Sequence, residues 1–524
     1  MIDTMVFPIL FPIIAGFFLL VMKEPENRKI LTGMTGAALL ISGGSIVYAL
    51  LSVEGEAVIL FHLTPALPIY LKPDKLGLLF AAVMTIVWVL AGFFSFSYMK
   101  PRHEEPRYGG REKGEKRFYG FYLMVFGILT GLNFAGNLIT FYLFYELMTL
   151  LSMPLVIHTR SREAVMAALK YLFYSFSGAY MVLFGLYFLY RFGNTLTFTA
   201  GGVLDKNMVA GNESLLLVTA FFMIIGFGVK AGMFPLHAWL PTAHPVAPAP
   251  ASALLSAVIV KGGVLGMIRV VYYMFGADFL RGTWVQKAWL TLTLVTVFMG
   301  SMLAYREKVL KKRLAYSTVS QVSYILFGLA LLEPAALEGG ILHVVFHAFI
   351  KCALFLIAGA VIHKTGRERA DELTGIGKEM PVTMWCFVFL SLALTGIPPT
   401  SGFISKWYFI LGALHSETGI FSWLGPVVLL VSALLTAGYL LPIAIKGFFP
   451  GEDYKYQDIE YQDIEYHDIS YQDILYSEKS AGNGKKKFLA EEIPIVILTV
   501  LAVGLGIWPN PLIEYISGIV SFIL

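Results

Sequence analysis

Apolar runs of helical length recur along the whole chain, separated by short polar stretches. Taking about 20 apolar residues per crossing, the pattern predicts about fourteen membrane helices. Their limits fall near 5–22, 30–52, 76–98, 118–136, 137–157, 166–190, 215–239, 248–274, 284–304, 314–332, 341–362, 381–414, 422–449 and 490–510. The fourth and fifth nearly join. Residues 511–524 either extend the last helix or lie at the interface. The first run, Met5 to Met22, lacks a following small-residue cleavage pattern and reads as a retained helix. The expected fold class is an all-α polytopic membrane protein.

Two predicted helices, the seventh and the twelfth, are broken. In GFGVKAGMFPLHAWL (226–240), Gly228, Gly232 and Pro235 surround Lys230. In LTGIPPTSGFISKW (394–407), Gly396, Pro398, Pro399 and Gly402 come just before Lys406. Proline removes a backbone donor and disrupts the preceding turn. Backbone freed at membrane depth needs protein or water around it, so each break marks a hydrated cavity, unless it is a passive kink. Two such breaks about 170 residues apart point to internal repeats around an ion path. Helices four to eight and nine to thirteen would form them, inverted because five is odd. The expected organisation is 1–117, helices one to three; 118–274 and 284–449, the two repeats; 450–489, an insert; and 490–524, the C-terminal helix.

Charge supports the count. Loops after odd-numbered helices hold roughly 27 lysines and arginines and loops after even-numbered ones roughly 6, a strong bias under the positive-inside rule. KPRHEEPRYGGREKGEKR (100–117), REKVLKKR (306–313) and HKTGRER (363–369) all fall on the odd side. Alternation places both termini outside a plasma membrane. The insert carries YQDIEYQDIEYHDISYQDIL (456–475), whose five-residue period fits neither helix nor strand. It reads as a flexible insert, or as a docking segment for a neighbouring subunit.

Composition narrows the class. The 524 residues are 57% hydrophobic and 14% charged, outside the soluble range. The two cysteines, Cys352 and Cys386, both lie in apolar spans, which excludes a Cys-ligated cluster and argues against a disulfide scaffold. Few ionisable groups remain inside the spans. Glu146, in FYLFYELMTLLS, is the one acid deep within a predicted helix, where a charge costs roughly 2.5–3.5 kcal/mol even on the lenient insertion scale. Lys230 is its natural partner. A buried lysine balanced against a glutamate takes up and releases a proton near neutral pH; the alternative for both is a static helix–helix ion pair. Lys261 lies within SALLSAVIVKGGVLG. His343, His347 and Lys351 recur every four residues in ILHVVFHAFIKCALFL and share one helix face. Histidine is the usual proton relay. A packed polar face is the plainer alternative. A zinc site lacks a third ligand and the HExxH glutamate, and haem would need histidines facing each other across helices. No metal and no cofactor are expected in this chain. His237 and His244 flank PTAHPVAPAP on the basic side, as a point of proton access or as interfacial residues. Arg269 and Lys170 lie toward span ends, where snorkelling accounts for them.

Taken together, FYELMTLLS, VKAGMFPLHAWLPTAHPVAPAPASALLSAVIVKGG, LKKRLAYSTVSQVSYI, HVVFHAFIKCALFLIAG and LTGIPPTSGFISKW resemble one family. It is the antiporter-like subunits shared by Mrp-type cation/proton antiporters, respiratory complex I and membrane-bound hydrogenases. The likeness spans roughly residues 70–450, with the motifs in the family's order. It implies fourteen helices, two inverted five-helix repeats and a mid-membrane proton path. By motif, Glu146, Lys230, Lys261 and Lys406 correspond to the family's helix-five glutamate and its helix-seven, helix-eight and helix-twelve lysines. His343 and His347 match its helix-eleven histidines. Lys406 after SGFIS favours the Mrp D-type branch, because the M-type subunit of complex I carries a glutamate there. One span follows the insert, so the long lateral helix of the L-type subunit is missing, and the YQDI repeat is no family pattern.

The function expected is proton translocation, with sodium as a second candidate ion, by one subunit of a larger membrane complex. That complex is a cation/proton antiporter or an oxidoreductase whose redox chemistry lies elsewhere. Partners would be other membrane subunits, homologous antiporter-like ones included, and the lipid bilayer; no nucleic acid is implied. Two other classes compete. A stand-alone solute transporter would share the broken helices, and a quinone-binding redox subunit would show a quinone cleft.

Overall fold

The computed structural model describes residues 2–23, 25, 27–52, 55–65, 67–100, 114–451 and 490–524. The YQDI repeat and most of the 100–117 loop lie outside the described residues. The N-terminal region contributes α1 (Ile2–Val21), α2 (Arg28–Ser52) and α3 (Lys75–Tyr98). Then come α4 (Gly114–Phe134), α5 (Leu138–Val156), α6 (Arg162–Phe192), α7 (Glu213–Ala231), α8 (Leu240–Val246) and α9 (Ala249–Phe275). The second half holds α10 (Trp284–Arg306), α11 (Leu310–Ala330), α12 (Pro334–Thr365), α13 (Pro381–Thr395), α14 (Ser401–His415) and α15 (Phe421–Phe448). The chain closes with α16 (Ala490–Ile507) and α17 (Asn510–Ile523).

Among the described residues, 11 helices are long and apolar enough to cross a membrane. Helices α4 and α11 are not among them: α4 starts with Glu115, Lys116 and Arg117, and α11 starts with Lys311, Lys312 and Arg313 and is rich in serine. Helix α13 is only 15 residues long. Burial separates inside from outside. Of their apolar windows, 100% of α9 and 94% of α12 are buried, against 33% for α1 and 39% for α2, α6, α15 and α16. The outer helices expose Phe17, Phe173, Tyr180 and Leu434, as lipid-facing surfaces do. The centre is therefore α9 and α12, which carry Lys261 and the two histidines.

Local chemistry sets the breaks. Helix α7 ends one residue after Lys230, where Gly232 caps it in the left-handed conformation at φ 77°. Helix α13 ends the same way at Gly396, φ 90°. Only glycine adopts that region without steric cost, which is why it sits at helix C-termini. The seventh expected helix thus stops at Ala231 rather than 239, and the twelfth is two pieces.

Three other features complete the fold. Residues 511–524 form a separate helix, started by Pro509 and Pro511, whose Ile516, Ile519, Val520 and Ile523 are buried. Helix α12 begins seven residues early, because Glu333 accepts the Ala336 amide as N-cap and Pro334 fills the first turn. A hairpin of β1 (Val58–Thr64) and β2 (Leu67–Leu71) pairs antiparallel between α2 and α3, where no element was expected. It holds the start of α5: Asn137 donates to the Pro68 carbonyl at 2.8 Å, and the Tyr70 amide donates to Thr140 at 3.1 Å.

Candidate functional site

Lys230 is fully buried in the last turn of α7. Its ammonium donates to three hydroxyls, Thr149 of α5 at 2.8 Å and Tyr171 and Ser175 of α6 at 3.1 and 3.0 Å. The Tyr171 ring lies 4.6 Å away, with Tyr145 and Trp239 at 5.7 and 5.9 Å. Three donors thus meet three acceptors inside an aromatic cage. Glu146 is not one of the acceptors. It sits one turn before Thr149 on the same face of α5, half-buried, with Oε1 buried and unpartnered. A hydroxyl cradle, not a carboxylate, holds the ammonium, and Glu146 stands one helical turn from Thr149, a member of that cradle.

Helix α9 packs tightly on α7. A Cβ at Gly263 would lie 2.7 Å from the Phe227 carbonyl and 3.0 Å from the Lys230 Cβ. Lys261, two residues earlier on α9, faces α12 instead. Lys261 donates to the Ser256 carbonyl and meets His347 Nδ1 of α12, each at 2.7 Å. The Ser256 carbonyl lies in a π-helical segment, Leu255–Ile259, and such bulges recur at functional sites. A cavity of about 20 Å³, room for about one water, adjoins Lys261 between Asn133, Met84 and Val344.

His343 stands one turn before His347, ring centroids 5.8 Å apart, and its Nδ1 meets the Ser405 hydroxyl at 2.8 Å. Both Nε2 atoms are buried and unpartnered. With each Nδ1 engaged, the two rings are ordered along the helix axis. Among the described residues, no group of three His, Cys, Asp or Glu side chains is placed to hold an ion. Ser405 leads to Lys406, whose ammonium donates to the Leu394 and Thr395 carbonyls at 2.7 Å each. Those carbonyls end the broken α13, where the helix dipole favours a cation. The Tyr324 ring lies 5.2 Å from this ammonium and stacks on His343 at 6.0 Å.

The structure therefore brings Lys261, His347, His343 and Lys406 into one buried line; Lys230 sits in its own cradle on α7, the helix packed against α9 at Gly263, with Glu146 one turn from that cradle. Lys351, one turn beyond His347, donates to the Leu314 carbonyl at 3.1 Å. His244 is fully buried, stacked on Phe355 at 4.5 Å, with neither ring nitrogen partnered. His237 lies apart in the α7–α8 break, half-buried beside Phe234. Lys170 reaches Thr242 at 3.1 Å from a half-exposed position.

Arg269 overturns its snorkelling assignment. It is 2% exposed and forms a bidentate pair with Asp74, both contacts 2.6 Å, between the end of α9 and the start of α3. Lys311, unnoticed in the sequence, is also buried and donates to the Ala247 carbonyl at 2.9 Å. The cradle hydroxyls were missed too. Their one signal was a position one turn from Glu146, which Thr149 shares with many membrane-helix hydroxyls.

The family described as NADH:quinone oxidoreductase/Mrp antiporter, TM, matches residues 135–439, more than half of the chain and every residue of the lysine–histidine line. The N-type NADH-quinone oxidoreductase subunit of Desulforudis audaxviator is 32% identical over 443 residues, covering 83% of this chain and 82% of that one. The D-type Na(+)/H(+) antiporter subunit of Alkalihalophilus pseudofirmus is 26% identical over 526 residues, covering 100% and 97%. In structure, a chain of the Mrp complex from Dietzia sp. DQ12-45-1b superposes with a TM-score of 0.79 over 99% of this chain and 97% of its own length, at 22% identity. The chain is a multi-pass membrane protein that belongs to the NADH:quinone oxidoreductase/Mrp antiporter transmembrane family, as one of its antiporter-like subunits.

Proposed function

We propose that this chain moves protons across the plasma membrane, with sodium as the second candidate ion, as one subunit of a larger membrane complex. Helices α4, α11 and the α13–α14 pair join the 11 apolar spans to make fourteen crossings. The broken α7–α8 and α13–α14 segments are corresponding parts of two inverted repeats, and both termini lie outside. The partners are other membrane subunits, homologous antiporter-like ones included. The chain carries no redox cofactor of its own, and any driving electron transfer belongs to a partner.

The observation that carries this reading is the buried line Lys261–His347–His343–Ser405–Lys406, with the helix that carries Lys230 packed on the helix that carries Lys261. Every link is a proton donor or acceptor. A proton on Lys261 passes to His347 Nδ1 across 2.7 Å. The unpartnered Nε2 atoms give the His347–His343 step a place for one bridging water. His343 passes the proton through Ser405 to a neutral Lys406, and the α13 carbonyls accept hydrogen bonds from the ammonium so formed.

Lys230 sets the direction. A hydroxyl both accepts and donates, so the Thr149–Tyr171–Ser175 cradle serves a charged lysine and a neutral amine alike. A carboxylate in contact would lock the charged form. With Glu146 one turn off, its charge biases Lys230 without capturing it. His237, His244 and Lys351 are the candidates for access from the basic face. The test is proton uptake by the assembled complex in proteoliposomes, followed with an interior pH dye. Lys230→Ala, Glu146→Ala and Lys261→Ala should each abolish most of it, and normal pumping by the first two would discard the mechanism.

A further inference from the structure

A second polar line runs through the molecule outside that relay. Helices α11 and α15 lie antiparallel and meet through four successive rungs. Arg313 donates to the Tyr439 carbonyl at 2.9 Å, and the Tyr439 hydroxyl donates to Ser317 at 2.6 Å. Ser320 meets Ser432 at 3.2 Å, and Ser301 of α10 bridges both at 2.8 and 2.5 Å. The Tyr324 hydroxyl donates to the Leu429 carbonyl at 2.7 Å. Arg313, Ser317, Ser320 and Tyr324 follow helical spacing on one face and rise about 16 Å. The line starts at the basic 306–313 loop and ends at Tyr324, whose ring lies against both Lys406 and His343. Ser301, Ser317, Ser320, Tyr324 and Ser432 are fully buried, and Tyr439 is 2% exposed.

Helix packing alone does not explain Gln321. It lies one turn from both Ser317 and Tyr324, fully buried, with both amide atoms unpartnered. A buried carboxamide without partners carries a desolvation cost that a bound water removes.

We propose that this hydroxyl seam is a second proton branch, connecting the basic face directly to Lys406. It rests on the reading of Lys406 as part of a proton relay. The hops run between side-chain hydroxyls and waters: each oxygen gains one O–H bond and gives up its own proton to the next, so only the entering charge moves, while the Tyr439 and Leu429 carbonyls, which have no proton to give, only brace the two helices. The Ser301–Ser320–Ser432 cluster carries protons and not sodium. Its oxygens already bond one another, whereas a calcium- or sodium-sized ion holds each ligand at about 2.3–2.6 Å and spreads them further apart. Entry to the Tyr439 hydroxyl, the Ser317-to-Ser320 step and the last step from Tyr324 each need one water, while Ser432 hands on directly to the Tyr324 hydroxyl; Gln321 stands where it can hold the water of the Ser317-to-Ser320 step.

The test uses the assembled complex in proteoliposomes, with proton uptake normalised to complex incorporated. Ser432→Ala and Tyr439→Phe should each lower uptake about tenfold or more, and Ser432→Thr, which keeps the hydroxyl, should return it to within about twofold of wild type. Gln321→Met keeps volume and breaks no rung, so it assembles even where a rung variant does not, and it should slow uptake at least about threefold. Uptake within about twofold of wild type in Gln321→Met and in the rung variants that assemble overturns the proposal, as does Ser432→Thr as impaired as Ser432→Ala. Lys230→Ala run in parallel separates the two readings. If it is blocked while the seam variants are normal, the branch alone fails; if it too is normal, the relay itself falls.

Discussion

Lys261 and His347 meet nitrogen to nitrogen at 2.7 Å in the buried centre of the fold. Two donors cannot face each other at that distance, so one proton lies between them. When Lys261 is the ammonium, His347 Nδ1 must hold its lone pair and the ring proton sits on Nε2. The pair then acts as a unit. Lys261→Ala and His347→Ala should each reduce proton uptake by about tenfold or more, and the double variant should be little worse than either alone. Additive losses in uptake by the reconstituted complex would show two independent groups.

The Lys230 cradle makes a different prediction. Thr149→Val keeps shape and removes one of three acceptors, and hydrogen bonds to charged groups are worth about 1.5–3 kcal/mol. The charged lysine is disfavoured by that amount, and transport should fall accordingly. Thr149→Ser restores the acceptor and should transport nearly as wild type. If Val and Ser behave alike in the uptake assay, the hydroxyl has no part in holding the charge.

A third prediction concerns pH and lies away from the relay. Burial works against the Asp74 carboxylate, but the Arg269 guanidinium and the Gly77 amide outweigh it and hold its pKa below the ordinary carboxylate range. The folded value lies below the unfolded one of about 3.9, so the stabilisation is complete above that pH and is lost as pH falls through the lower, folded value. Asp74→Asn leaves a 2%-exposed guanidinium without its counter-charge. Asp74 itself is one-third exposed, so the loss should be moderate, about 1–3 kcal/mol. Thermal unfolding of the purified complex at pH 7 and at pH 3–4 should show wild type approaching the variant at the acid end. A difference that persists unchanged would rule out the charge pair as its source.

What the sequence disclosed follows from how local each signal is. Gly232 and Gly396 stand beside prolines and lysines in short quotable stretches, so both breaks were legible, and so was the cost of a cation in an apolar run. Asp74 and Arg269 are 195 residues apart, and nothing local in either one names the other. Thr149, Tyr171 and Ser175 belong to residue types common in membrane helices, and only the folded chain converges them on Lys230. The hairpin was hard to see because its two strands are short and one carries Pro68, which strands tolerate at their edges. The early start of α12 was written in Glu333 and Pro334, an N-cap followed by a first-turn proline, but the apolar run that marks the span begins only later.

The last prediction turns on Gly396. Its φ of 90° is costly for any residue with a Cβ, and an added Cβ would lie 2.8 Å from the Lys406 Cδ. Both effects act on the same lysine, because the Leu394 and Thr395 carbonyls that receive Lys406 are the last of the helix that Gly396 caps. Gly396→Ala should therefore cost about 1–2 kcal/mol in stability through the backbone alone. It should also impair transport beyond what reduced assembly explains, because the ammonium is pushed from its carbonyls. Gly419 is the control: it is also at positive φ, 64°, a milder backbone penalty, with nothing near its Cβ position. Gly419→Ala should lower stability by up to about 1 kcal/mol and leave uptake per assembled complex unchanged. Equal uptake by the two variants would mean that the α13 cap does not position Lys406 for its task.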